Sequence, residues 1–284
     1  MQVYHSVTGA PRREVRFSVF AGPEYTEAEI ETVLAQQRGI GYSRPPDVAS
    51  FAAQRLAAGE ILGWFHGHME YGPRGLGHCS ILASPLLKDM RNVVNDRIKH
   101  RERFRPFAGA VPLEHAREFF ELENHSPYMQ FVVSVRESAL ERIPAVVHFR
   151  TCRAQAVDHF ENPLFHKLLL EFGKQTGCPV LLNTSFNDAD EPIVYSPTDA
   201  VRTFLNTKLD RLVIGGFVVE RERHTECPLP RRLGWRAALN RFRLDYRQSG
   251  SSAGPEVGFG EIARDVSEAR FRAKFRFADP PVVK

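Results

Sequence analysis

The sequence predicts a mixed α/β protein built on a twisted sheet, and three observations carry that expectation. Short apolar runs alternate with capped, amphipathic helical segments between Thr26 and Val219, the pattern of a sheet with helices packed on it. Polar clusters follow directly on the runs Ile61-Leu-Gly-Trp-Phe-His and Pro179-Val-Leu-Leu-Asn, as they do where ligands meet strand ends in α/β folds. The chain has 284 residues, 43% hydrophobic and 25% charged, enough to bury one large core or two modest ones.

Taken in order, Arg12-Arg-Glu-Val-Arg-Phe-Ser-Val-Phe reads as a basic, β-like start closed by Gly22-Pro23. A helix follows, because Thr26 and Glu29 form a capping-box pair and Ala28, Ile30, Val33 and Leu34 fall at helical spacing before Gly39. A second runs from Pro46 to Ala58, with Val48, Phe51, Ala52 and Leu56 on one side and Gly59 as its stop. Ile61 to His66 is a short buried strand that delivers the chain into Glu70-Tyr-Gly-Pro-Arg-Gly-Leu-Gly. Asp89 to Ile98 is a helix that presents Lys99 at its C-terminal end. Phe107 to Leu113, Met129 to Val135 and Pro144 to Phe149 read as strands, the last continuing after a break into Arg153-Ala-Gln-Ala-Val.

Asn162-Pro opens a helix with Leu164, Phe165, Leu168, Leu169 and Phe172 on one face, and Gly177 ends the segment. The strand Pro179 to Asn183 comes next, then a helix capped by Ser196-Pro-Thr-Asp199, then a final strand from Arg211 to Val219. After Glu220 the texture changes. Residues 221 to 247 are arginine-rich with a weak helical segment from Trp235 to Tyr246, residues 248 to 255 form a Gly/Ser linker, and Phe259 to Lys284 is charged and amphipathic. The expected organisation is a domain over 1–220 and an extension over 221–284.

The net charge of +4 is mild for this length; it implies no nucleic-acid groove but suits an anionic small substrate. The N-terminus lacks a basic region followed by an apolar run, and no window reaches the roughly 18 residues that span a bilayer. No membrane segment and a cytoplasmic location are therefore expected. Cys79, Cys152, Cys178 and Cys227 form no C-x-x-C pair, which argues against a zinc knuckle or a disulfide framework and for free thiols, with Cys178 in the core.

Three stretches carry the chemistry. In Tyr71 to Leu82, glycines at 72, 75 and 77 flank Arg74, so backbone amides and a guanidinium are able to converge on one anion; a tight turn bearing a surface arginine fits the same residues. Lys99, Arg101 and Arg105 share one face if their segment is extended, with Phe104, Pro106 and Phe107 as anchors. That face suits phosphate, and a solvated basic edge strand is the alternative. Asn183, Thr184, Ser185 and Asn187 place amides and hydroxyls at a sheet edge, either for a ligand or as an Asx or Ser turn. His148 and Arg153 flank a strand break, and Glu70 and Glu191 stand near the motifs without making a paired-carboxylate signature. No G-x-S-x-G, H-E-x-x-H or Walker loop is present, so the residues favour positioning and electrostatic stabilisation over covalent catalysis.

Together these motifs, with Met90-Arg91 and Asn95, Ser126-Pro-Tyr-Met129, Ile143-Pro-Ala-Val and Glu191-Pro-Ile-Val, resemble the C-terminal domain of the NodU/CmcH O-carbamoyltransferases, in order from about Phe17 to Val219. The resemblance implies a YrdC-like carbamoyl-adenylate fold that binds carbamoyl phosphate and ATP, with Mg2+ expected, and forms carbamoyl-AMP. Transfer to a small-molecule acceptor such as an antibiotic or a nodulation-factor sugar then belongs to a separate metal-holding domain. By motif, Arg74, Lys99 and Arg105 match positions that grip carbamoyl phosphate and nucleotide phosphates, Asn183 and Ser185 match nucleotide-side residues, and Arg153 matches the arginine of T-A-R-x-Q, here Thr151-Cys-Arg-Ala-Gln155. Arg101, His148, Thr184 and Asn187 complete the expected binding set, with no metal ligand among them.

The chain departs from the family pattern at several points. The transfer domain and its H-x-x-x-H have no counterpart, which implies a separate transfer-domain subunit or a small acceptor of the chain's own. Gly75 replaces an alanine, Cys79 an arginine, Asp190 a glycine and Gly109 a proline, and Arg150 stands where Asp-Gly follows His148. The leading expectation is a carbamoyl-adenylate-forming enzyme of specialised metabolism. A nucleotide-binding accessory subunit without turnover and a repurposed ATP-dependent ligase are the alternatives.

Overall fold

The computed structural model describes residues 7, 18–102, 104–123, 125–189 and 191–222. The extension after Glu222, its linker, Cys227, Asp190, Arg103 and most of the expected first strand lie outside the described residues.

Local chemistry sets the helices. In α1 (Glu27–Ala35) Thr26 and Glu29 make the reciprocal capping box that the sequence predicts. α2 (Val48–Ala57) starts at Asp47, whose carboxylate accepts from the backbone N–H of Ala49 and Ser50. α3 (Met90–Val94) continues into a π-helical turn, Asn95–Lys99, that ends at His100 in the left-handed region. α4 (Ala116–Phe119) is a single turn. α5 (Pro163–Thr176) is capped by Asn162 and stopped by Gly177, and α6 (Pro197–Asn206) is capped by Ser196.

Nine strands form one mixed sheet: β1 (Ile40–Ser43), β2 (Leu62–Phe65), β3 (Cys79–Ala83), β4 (Ala108–Pro112), β5 (Val132–Ser134), β6 (Thr151–Val157), β7 (Leu181–Ser185), β8 (Arg211–Ile214) and β9 (Phe217–Arg221). Their spatial order is β1-β9-β8-β2-β3-β7-β4-β6-β5. The β2/β8 and β4/β6 pairs are parallel and the others antiparallel. Alternation along each strand feeds a core on both faces. Ile81, Leu182 and Ile214 meet Ile30, Leu34, Ile98 and Phe204 on one side. Leu82, Leu181 and Val213 meet Ala49, Ala52, Leu56, Phe165 and Leu169 of α2 and α5 on the other. A mixed α/β architecture is thus what forms.

Four sequence expectations are corrected. Lys99 to Arg105 is not a strand: His100 has φ 44° and Arg105 N–H closes a turn on Glu102 C=O at 3.2 Å, so the basic residues ride a folded loop. Pro144 to Phe149 is irregular; Phe149 and Arg150, with φ of 46° and 62°, make a two-residue turn closed by reciprocal hydrogen bonds between His148 and Thr151. Its apolar residues Ala145 and Val146 are buried without joining a ladder. Arg211 to Val219 is two strands, because Gly215-Gly216 turns the run into the β8–β9 hairpin. Met129 to Val135 shrinks to β5, since Met129 itself has φ 54°.

Candidate functional site

The site lies at the end of the sheet where β7 finishes and β4 and β6 begin. Asn183 pairs with Ala108, and Ala108 with Arg153, in neighbouring ladders, so these three side chains stand in a row on one face, with only a methyl group between the amide and the guanidinium. The glycine loop folds over that face. Gly75 packs so closely that a Cβ there would lie 2.5 Å from Cys79 O and 2.9 Å from Ser185 Cα. Alanine cannot occupy position 75 without moving backbone.

A buried carboxylate holds the loop. Glu70 is 3% exposed; its Oε1 accepts from the backbone N–H of Leu76 at 2.7 Å, His78 at 2.8 Å and Cys79 at 3.0 Å, and its Oε2 also accepts from Cys79. Gly77 N–H donates to Ser80 Oγ, and Gly77 C=O accepts from Trp64 Nε1, both at 2.9 Å. Leu76 C=O accepts from Gln155 Nε2 at 2.7 Å, and Gln155 Oε1 accepts from Asn183 Nδ2 at 2.8 Å. The expected cradle of free loop amides is therefore corrected: the N–H groups of residues 76 to 79 are already bound to protein oxygens. Arg74, half-buried, is what the loop offers an anion.

Four guanidinium groups act on one another there: Arg101, the exposed Arg105 and Arg153 repel mutually, and Arg74 repels Arg153. Burial and then the neighbouring Arg105 and Arg153 pull Arg101 down to about 10. Arg153 is lowered by burial, then by Arg74 and, further down, by Arg105. Arg101 lies 4.4 Å over the Phe107 ring, and its buried Nε has no hydrogen-bond partner. Among the described residues none of Arg74, Arg101, Arg105 and Arg153 makes an ion pair with a carboxylate. Glu102 offsets the charge on Arg101 only in part; like charges gathered in this way raise one another's cost, and a bound anion relieves it.

Lys99 is built differently. It is 6% exposed, and its Nζ donates to Ser185 C=O at 2.6 Å, Asn187 Oδ1 at 2.7 Å and Asn187 C=O at 3.0 Å. Ser185 Oγ donates to Asn187 Oδ1 at 2.7 Å, and Asn187 Nδ2 donates to Glu191 C=O. Burial and the Arg101 charge pull Lys99 down to about 7, against the pull of Asp188. Its three protons already face protein oxygens, so it ties the turn after β7 to the π-helical turn and lends its charge to the cluster.

Thus Lys99, Ser185 and Asn187 are bonded together, and Arg74, Arg101, Arg105 and Arg153 share one field. Asn183 sits beneath the loop, 1% exposed, with its Oδ1 buried and unpartnered. Thr184 alternates to the opposite face from Asn183 and Ser185. His148 lies in the turn before β6 with its ring edge-on to Phe149. Sequence reasoning missed the task of Glu70 and of Gln155. The available signal for Gln155 was its place as the closing residue of Thr151-Cys-Arg-Ala-Gln155, two residues after Arg153.

A family profile described as "Carbamoyltransferase C-terminus" matches residues 53–221. The chain belongs to the carbamoyltransferase family. It is 44% identical over 218 residues to nodulation protein NolNO of Sinorhizobium fredii, covering 75% of this chain and 32% of that protein. To a 3'-hydroxymethylcephem-O-carbamoyltransferase of Amycolatopsis lactamdurans it is 34% identical over 210 residues, 73% of this chain and 38% of that protein. It resembles the crystal structure of full-length HypF in the phosphate- and nucleotide-bound form with a TM-score of 0.42 and 14% identity, over 64% of this chain and 22% of that one. The chain therefore spans about a third of the length of the curated relatives it matches. No helix among the described residues is long and apolar enough to cross a membrane.

Proposed function

We propose that this carbamoyltransferase-family domain binds carbamoyl phosphate and ATP and forms carbamoyl-AMP, which supplies the carbamoyl group to a small-molecule acceptor. The carrying observation is the grouping of Arg74, Arg101, Arg105 and Arg153 beside the Lys99 clamp, in which Glu102 and Asp188 offset the charge only in part and no carboxylate of the described residues forms an ion pair with the four guanidinium groups. Carbamoyl phosphate, ATP and water give carbamoyl-AMP, phosphate and pyrophosphate. Each product anion gathers negative charge as it leaves, and charge-assisted contacts answer that without a protein nucleophile.

In this reading Arg101, Arg105 and Arg153 hold phosphoryl oxygens, Arg74 closes over them from the loop, and Lys99 fixes Ser185 and Asn187. Mg2+ would come with the nucleotide phosphates and would supply partial neutralisation of their charge; the described residues contain no group of three His, Cys, Asp or Glu side chains able to hold a metal of their own. A small-molecule acceptor, reached on this chain or through a separate transfer subunit, is part of this reading; the names of the relatives, which include cephem O-carbamoyltransferase and nodulation protein, support the acceptor class. Antibiotic or other specialised metabolism is the setting this suggests.

The test is to incubate the purified chain with ATP, Mg2+ and carbamoyl phosphate and to follow AMP and pyrophosphate with each component omitted in turn. The reading expects both products only in the complete mixture. Nucleotide binding without AMP would overturn it in favour of a non-catalytic accessory subunit, and AMP formed with another small acid in place of carbamoyl phosphate would favour a repurposed ligase.

A further inference from the structure

We infer that Gln155 is the positioning residue that sets Arg74 against Arg153, an inference that deepens the anion site of the preceding section and rests on that reading. Gln155 is 2% exposed and bonds to two elements at once. Its Nε2 donates to Leu76 C=O, two residues after Arg74, and its Oε1 accepts from Asn183 Nδ2. It stands two residues after Arg153 on β6, so the two share a face of that strand.

The direction of these bonds is forced. A main-chain carbonyl only accepts, so Gln155 must present its NH2 to Leu76, which leaves its oxygen for Asn183 and turns the NH2 of Asn183 toward Gln155. The chain Leu76 C=O, Gln155, Asn183 thus has one polarity and admits no flip. One amide therefore ties the loop carrying Arg74 to the strand carrying Arg153, while Glu70 holds the same loop through its N–H groups. The two guanidinium groups repel each other, so a loop freed from Gln155 moves Arg74 away from Arg153. An anion that needs both then loses one charge-assisted contact.

The polarity supplies the test. In Gln155→Leu neither bond forms. In Gln155→Glu the ionised carboxylate still accepts from Asn183 but not from Leu76 C=O, which has no proton to give. Pyrophosphate binding to the full chain is measured by calorimetry from pH 8 to pH 6, with amide hydrogen exchange of residues 76 to 79 alongside. Gln155→Leu is expected to weaken pyrophosphate roughly ten-fold or more, the removal of one charge-assisted contact, and to speed exchange at residues 76 to 79. Gln155→Glu, which the neighbouring cations keep ionised, faces Leu76 C=O acceptor to acceptor throughout and is expected to speed the same exchange.

Wild-type affinity and exchange in both variants would overturn the inference. A wild-type chain that does not bind pyrophosphate would instead overturn the anion-site reading, and the exchange arm would still decide whether Gln155 holds the loop.

Discussion

Replacing Lys99 by methionine isolates the electrostatic cost of burying a cation inside a cationic cluster. The ammonium carries a pKa of about 7 in the folded chain against 10.5 as its ordinary value, with burial as the first cause and Arg101 as the second. A base with a depressed folded pKa binds fewer protons folded than unfolded between those values. Stability therefore rises with pH from about 7 to 10.5 and falls away as the pH drops back toward 7. At about 1.36 kcal/mol per unit, the two units from pH 7 to pH 9 give wild type a gain of about 2 to 3 kcal/mol that Lys99→Met cannot share. Methionine also makes none of the hydrogen bonds to Ser185 C=O, Asn187 C=O and Asn187 Oδ1, which offsets the variant's stability in either direction, but that offset does not titrate. Urea unfolding of both proteins at pH 7, 8 and 9 reads the difference in slope. A difference that is flat with pH, or that falls as the pH rises, would show Lys99 to be an ordinary charged lysine and refute the reasoning.

Other outcomes follow from the same geometry. Because a bound anion raises the pKa of Lys99, pyrophosphate binding near pH 8 should take up protons, seen as a dependence of calorimetric heat on buffer ionisation enthalpy; Lys99→Met should abolish the uptake. Arg153→Ala should weaken pyrophosphate by roughly 10- to 100-fold, one contact of ~1.5 to 3 kcal/mol, with little change in the urea midpoint. Glu70→Gln cannot accept from three N–H groups with a full charge, and leaving even one of them unsatisfied costs ~1 to 3 kcal/mol in urea unfolding. Gly75→Ala should push the loop off Ser185 and lower anion affinity more than stability.

Much of the fold was legible because it is written locally. The Thr26–Glu29 box, Asn162 and Gly177 around α5, and Ser196 before α6 are capping chemistry that needs no distant partner. β1 was not legible, since three of its four residues are exposed and it owes its place to pairing with β9. The β8–β9 hairpin hid in one apolar run because both strands are buried, and Lys99 to Arg105 mimicked a strand because its charges happen to alternate. In the site, residue type was legible: Arg74, Arg101, Arg105 and Arg153 are side chains suited to phosphate. What holds them was not legible, because Gln155 reaches Leu76 across 79 residues and Lys99 reaches Ser185 across 86, distances that no sequence spacing encodes.

Exchange of labelled pyrophosphate into ATP, measured with and without carbamoyl phosphate in the wild type and in Arg101→Ala, tests the central claim most directly. The account predicts exchange that requires carbamoyl phosphate and collapses when the Arg101 guanidinium is removed from the cluster. Exchange that survives Arg101→Ala unchanged, or none in the wild type at saturating ATP, Mg2+ and carbamoyl phosphate, would contradict it.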